Sequence, residues 1–266
     1  MIHMIFLTTG LIVGLLSGIF GIGGGIIVFP IVYFCLNKLL LLGDSLSLAA
    51  AAATSLMITI PTLTVSVIAH QKNGDIKWKM IQAMLPGIII GVLIATVWLV
   101  PIFNPHTIKA IFAISSWLIA LQIFYHKPPL NPEPVMPSWW LSNLAGFIIG
   151  STSSLLGIAG GEYSASFLSY HQFKIKQVTA STAVIGLVIS LLGSIGFLIS
   201  AIGSATTLPI SYSVGYVYIP AVIQICLTSL ILASIGAKLS TKMKSAAMHK
   251  YFAFLIAGAG ILMLCT

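Results

Sequence analysis

The sequence has 266 residues, 58% of them hydrophobic and only 6% charged, and its mean hydropathy is +1.10. Soluble domains carry about 25% charged residues, so the chain lies far outside the soluble mix and an integral membrane protein is implied. The formal charge of +8 comes from twelve lysines against four acids, without a single arginine. The lysines stand in short loops between apolar runs, which reads as a topology signal and not as a nucleic-acid surface.

The apolar runs lie at about residues 4–36, 46–69, 80–103, 108–125, 139–173, 178–202, 212–237 and 251–265, long enough for helices that cross a bilayer core of about 30 Å. The opening MIHMIFLTTG lacks a basic n-region, so the first helix is expected to be retained and not cleaved as a signal peptide. It leads into GLIVGLLSGIFGIGGG at residues 10–25, which recurs as GFIIGSTSSLLGIAGG at residues 146–161 with eight of sixteen positions identical. Within these copies Gly10, Gly14 and Gly18, and Gly146, Gly150 and Ser154, recur every fourth residue and form small-residue stripes for close helix packing. The clusters GIGGG at residues 21–25 and GIAGG at residues 157–161 instead break a helix and free amides for a ligand. Neither is followed by Lys-Ser/Thr or set between a strand and a helix, which excludes nucleotide loops.

The segment HKPPLNPEPVMPS, residues 126–138, holds five prolines and reads as an extended linker between a first membrane repeat, residues 1–125, and a second, residues 139–266. The first run of each half is too long for one crossing of about 20 residues. If every run crosses once, the lysines divide eight against four. If the first run of each half is a hairpin, they divide ten against two, with only Lys38 and Lys109 on the sparse side. The positive-inside rule favours the hairpin. Each half then makes three further crossings, and the second enters the membrane upside down. The expected fold is an all-α polytopic membrane protein of two inverted repeats, each a glycine-broken, re-entrant-like hairpin followed by three transmembrane helices. Both termini are expected outside and the linker in the cytoplasm.

Candidate site residues follow from this frame. Paired breaks at matching places in two halves point to a transporter's central site. The expected substrate-binding residues are therefore Gly21, Gly23, Gly24, Gly25, Gly157, Gly160 and Gly161, joined by Thr54, Ser55, Ser181 and Thr182 at the starts of the following helices. Without arginine the bidentate fork for an oxyanion is missing, leaving amides, hydroxyls or lysine. Glu162 is the only acid within an expected membrane segment, where a carboxylate costs about 2.5–3.5 kcal/mol, and is expected to carry a coupling proton. His171 is a second candidate for that relay. The other histidines sit near segment ends without paired spacing, and Cys35, Cys226 and Cys265 share no metal-like spacing, so neither a metal nor a cofactor is expected.

At GLLSGIFGIGGGIIVFP (residues 14–30), AATSL (52–56), HQKNGDIKW (70–78) and GIAGG (157–161), the chain resembles the TauE/SafE family of sulfite exporters and related permeases over its full length. The second copy departs from the first, with Ala159 for Gly23, Glu162 for Ile26 and Ser166 for Pro30. The resemblance implies a secondary transporter of small sulfur-containing or organic anions, such as sulfite or sulfoacetate, across the cytoplasmic membrane. Its partners would be a small anion and the lipid bilayer. A channel using the same cavity and a membrane-embedded enzyme are the alternative readings, and the enzyme lacks a convergent catalytic set.

Overall fold

Glycine and proline set where the helices of this chain stop and restart. The computed structural model describes residues 2–20, 23–72, 74–125, 134–203, 208–240 and 245–266. Gly21 and residues 126–133 of the expected linker lie outside the described residues. The first half comprises α1 (Ile2–Phe20), α2 (Gly25–Phe34, prolonged by a wider turn through Cys35–Leu39), α3 (Asp44–Lys72), α4 (Trp78–Leu93, prolonged likewise through Ile94–Leu99), a single turn α5 (Val100–Ile102) and α6 (Pro105–Tyr125). The second comprises α7 (Trp139–Leu155), α8 (Gly161–Tyr170), α9 (Ile175–Gly203), α10 (Ile219–Ser240) and α11 (Ser245–Cys265). A two-residue hairpin, β1 (Ser213–Val214) with β2 (Val217–Tyr218), precedes α10.

Local signals explain the starts. Asn104 accepts the His106 amide through its side chain and the Thr107 amide through its carbonyl, and Pro105 follows it, so α6 opens with a capped first turn. Ser138 caps α7 by accepting from the Leu141 amide. Among the described residues, α3, α4 with its extension, α6 and α9 are each long and apolar enough to cross a bilayer, and shorter apolar helices accompany them. The protein is an all-α polytopic membrane protein.

The glycine stripes do what their spacing suggests. Gly10 and Gly14 of α1 lie against the backbone of Ile225 and Ser229 on α10, and a Cβ at either glycine would collide with it. Gly146 and Gly150 of α7 meet the backbone of Met84 and Ile88 on α4 in the same way. The two pairings correspond when the halves are exchanged, and in each the helices run parallel. The remaining main pairings join equivalent helices. In α3 and α9, Leu56 lies by Gly193, Thr59 by Ser190 and Leu63 by Gly186, an antiparallel register. In α6 and α11, Trp117 donates to the Ala257 carbonyl and Phe124 meets Phe254.

Hydrogen bonds fix which ends lie together. The Val135 amide, just before α7, donates to the His171 carbonyl, just after α8, at 3.1 Å, so the α7–α8 hairpin begins and ends in one place. Near it, the Lys77 amide before α4 donates to Ser181 Oγ on α9. The Tyr218 amide before α10 donates to Thr54 Oγ1 on α3, and the Tyr218 ring stands 6.1 Å from that of Phe6 on α1. The only ion pair among the described residues joins Lys109 of α6 to Asp44 at the start of α3 at 3.2 Å. Tyr33 and Asn37 also donate to Asp44, and the Lys109 ammonium lies 4.9 Å from the Tyr33 ring centroid.

Candidate functional site

The second glycine break is a complete helix stop followed by a new start. Gly157 takes a left-handed φ of +64° and donates to the Ser154 carbonyl, while Ile158 donates to Ser153, which satisfies the last carbonyls of α7 as a Schellman cap does. Four residues on, α8 begins. Its N-cap Gly160 has φ +74°, and Gly24, the N-cap of α2, has φ +71°. Neither cap offers a side chain to the new helix, so the first amides of α2 and α8 stand outside the intrahelical ladder.

These two breaks touch each other. A Cβ on Gly25 would lie 3.2 Å from the Gly157 carbonyl oxygen and 3.4 Å from the Ala159 nitrogen. Gly157 in turn abuts Ala52 of α3, Gly23 abuts Leu63 of α3, and Gly186 of α9 abuts the Ala159 carbonyl. Gly23, Gly24, Gly25, Gly157, Gly160 and Gly161 are thus gathered, buried, where α3 crosses α9.

The hydroxyls take a different place from the one expected. Thr54 and Ser181 lie well inside α3 and α9, which start at Asp44 and Ile175, because polar Asp44 and Lys174–Gln177 carry each helix beyond its apolar run. Both are occupied as acceptors for the last amide before a neighbouring helix, Tyr218 for Thr54 and Lys77 for Ser181. This bonding makes Ser181, not Thr182, the counterpart of Thr54. Ser55 reaches the Gly25 carbonyl at 3.4 Å and so touches the first break, while Thr182 bonds back to Thr179 within its own helix.

Glu162 sits in the first turn of α8 with 3% of its surface exposed, and neither carboxylate oxygen has a hydrogen-bond partner among the described residues. The buried hydroxyls of Ser153, which lies against Gly160, and of Ser194 are likewise unpartnered there. His171 caps the far end of α8, nine residues away, or about 13 Å along a helix, and its Nδ1 lies 2.9 Å from the Phe167 carbonyl. The fold therefore brings Glu162 to the glycine breaks and leaves His171 apart from them. Two side chains absent from the expected set belong to the same neighbourhood, Leu63 and Ala183, which cluster with Ala159. An apolar residue in an apolar helix gives no signal by itself.

Residues 6–263 match the sulfite exporter TauE/SafE family. The chain belongs to that family. Among curated proteins, a probable membrane transporter protein of Haemophilus influenzae is 29% identical over 254 residues, covering 95% of this chain and 94% of that protein. A probable membrane transporter protein of Methanocaldococcus jannaschii is 28% identical over 267 residues, with 98% and 94% covered. No solved structure matches. This TauE/SafE chain is accordingly a multi-pass membrane transporter and not an enzyme.

The unequal copies of the TauE/SafE glycine motif have unequal surroundings. Ile26, where the second copy has Glu162, is wholly buried in the apolar core. Pro30 lies inside α2, whereas its counterpart Ser166 on α8 donates to Gln122 of α6 at 2.6 Å.

Proposed function

We propose that this transporter moves a small anion, sulfite, sulfoacetate or a related sulfur-containing or organic anion, across the cytoplasmic membrane by alternating access, with a proton carried by Glu162. The observation that carries this reading is the contact between Gly25, the first residue of α2, and the Gly157–Ala159 turn that leads into α8. Each N-terminus presents free amides and about half a positive charge. Together they form an arginine-free oxyanion cradle from Gly23, Gly24, Gly25, Gly160 and Gly161, with Gly157 shaping the turn and Ser55 bonded to Gly25.

Glu162 stands at one of those two positive ends. A carboxylate and a substrate anion there would repel, so the anion enters when Glu162 is protonated and the two travel together. Nothing in the chain resembles an ATPase, which leaves ion gradients to drive the cycle.

Inverted repeats are supported by the antiparallel crossing of the equivalent helices α3 and α9 and by the bond that closes the α7–α8 hairpin. At 1.5 Å per residue α8 is about 15 Å long, half a bilayer core, which suits a re-entrant arm. The lysine asymmetry then puts Lys72, Lys77, Lys79, Lys174 and Lys176 in the cytoplasm and both termini outside. Because α1 packs on α10 and α7 on α4, the bodies that rock are mixed bundles, each borrowing a helix from the other half.

Proteoliposome uptake of labelled sulfite, thiosulfate, sulfoacetate and a simple carboxylate, with and without an inward proton gradient, tests this function. Saturable, gradient-stimulated uptake and counterflow of a sulfur anion are expected, and flux without counterflow would indicate a channel. A Glu162→Gln protein with an undiminished response to the gradient would remove the coupling role.

A further inference from the structure

Between the glycine breaks, the pseudo-symmetry of α3 and α9 fails. With Thr54 matched to Ser181, Thr59 corresponds to Gly186 and Leu63 to Ser190. On one side of the crossing Thr59 and Ser190 share a hydrogen bond of 2.8 Å, a closed polar contact. On the other, the equivalent pair is a leucine laid on a glycine: a Cβ on Gly186 would lie 3.1 Å from Leu63 Cδ1.

That same leucine reaches both breaks. A Cβ on Gly23 would lie 3.2 Å from Leu63 Cγ and Cδ1, and Gly186 also contacts the Ala159 carbonyl, so Leu63 occupies the space between the first break and the second. It is 3% exposed and clusters with Ala159 and Ala183. The small residues at 23, 159, 183 and 186 surround one branched side chain that has no counterpart in the other half.

We infer that Leu63 is a specificity-determining residue of this transporter, an apolar plug between the two glycine breaks that limits the length of the anion admitted and withdraws for it to pass. The inference rests on the anion-transport reading above. The chemistry is steric: the amides around the plug hold any oxyanion head group, while the leucine methyls bar a tail longer than the site. Sulfite has no tail. Sulfoacetate adds a methylene and a carboxylate, which must occupy the volume that Leu63 fills. Trimming the leucine then favours the longer anion, and one or two methylene-sized steps in a pocket are worth about tenfold or more in discrimination.

The experiment compares initial uptake of labelled sulfite and labelled sulfoacetate into proteoliposomes for wild type, Leu63→Ala, Leu63→Val and Leu63→Met, each checked for monodisperse elution before reconstitution. Leu63→Ala is expected to raise the sulfoacetate-to-sulfite ratio about tenfold, Leu63→Val to raise it less, and Leu63→Met, which conserves volume, to restore the wild-type ratio. If Leu63→Ala does not elute as a folded protein, the ratio for Leu63→Val decides. A purely structural leucine would lower both rates together, and an unchanged ratio in the folded variants overturns the inference while leaving anion transport standing. Wild-type vesicles that take up neither anion overturn the transport reading and this inference with it.

Discussion

The Asp44–Lys109 pair offers a prediction whose sign depends on which partner is removed. At an effective dielectric of about 20, unit charges 3.2 Å apart attract by about 5 kcal/mol. The side chains are unequally buried, however, with Lys109 8% exposed and Asp44 42% exposed. Asp44 keeps part of its hydration and two further donors, Tyr33 and Asn37. Lys109 has given up its water and has Asp44 as its anionic partner. Asp44→Asn therefore leaves a buried ammonium without a counter-charge and should cost about 3 kcal/mol, the low end for breaking a buried pair. Lys109→Met leaves a half-hydrated carboxylate with donors and should cost about 1 kcal/mol, closer to an exposed pair. The double variant should be more stable than Asp44→Asn alone. Equilibrium unfolding in mixed micelles over this four-protein cycle measures each figure. Costs that are equal for the two single variants, or that add to within about 0.5 kcal/mol in the double variant, would refute the reasoning.

Other consequences are simpler to test. Gly146→Ala drives a methyl into the Met84 carbonyl and should cost about 1–3 kcal/mol, whereas Gly258→Ala meets open space and should change stability by no more than about 0.5 kcal/mol; unfolding of the two proteins side by side distinguishes them. Thr54→Ala strips the acceptor from the amide of buried Tyr218 and should cost about 1–3 kcal/mol. Ser181→Ala should cost less than that, because half-buried Lys77 can recruit water, and equal losses would contradict the assigned bonds. Reporter fusions at the C-terminus and after Lys176 should report opposite sides of the membrane, and a cytoplasmic C-terminus would sink the inverted arrangement.

Much of the fold is legible because bilayer helices must be apolar and long, and glycine clusters must interrupt them. Gly10, Gly14, Gly146 and Gly150 announced close packing through their spacing alone, and the GIAGG cluster announced the stop that Gly157 makes and the start that Gly160 makes. The register between halves was not legible at that level. Two threonines, Thr54 and Thr182, invite alignment by type, yet the choice is made by an amide that belongs to the next helix, Tyr218 or Lys77. Hydropathy alone also starts these helices late, since it drops where Asp44 and Lys176 stand although the backbone is already helical there. Glu162 was conspicuous as a lone acid among apolar neighbours. Leu63 was invisible, for its meaning comes from Gly23 and Gly186, which a distant part of the chain brings beside it.

The exchange of partners between halves also has a consequence for synthesis. The glycine face of α1 waits for a helix whose contact residue, Ile225, lies 215 positions after Gly10. At about 5–20 residues per second the ribosome needs roughly 10–40 s to make that stretch. During this interval the first helix holds an exposed groove of backbone in the membrane, while α7 finds α4 already waiting. Assembly should therefore proceed from the middle of the chain outward, with the N-terminal helix locked in among the last. A nascent chain halted before residue 219 should leave α1 open to crosslinking from Gly10, and a full-length chain should not.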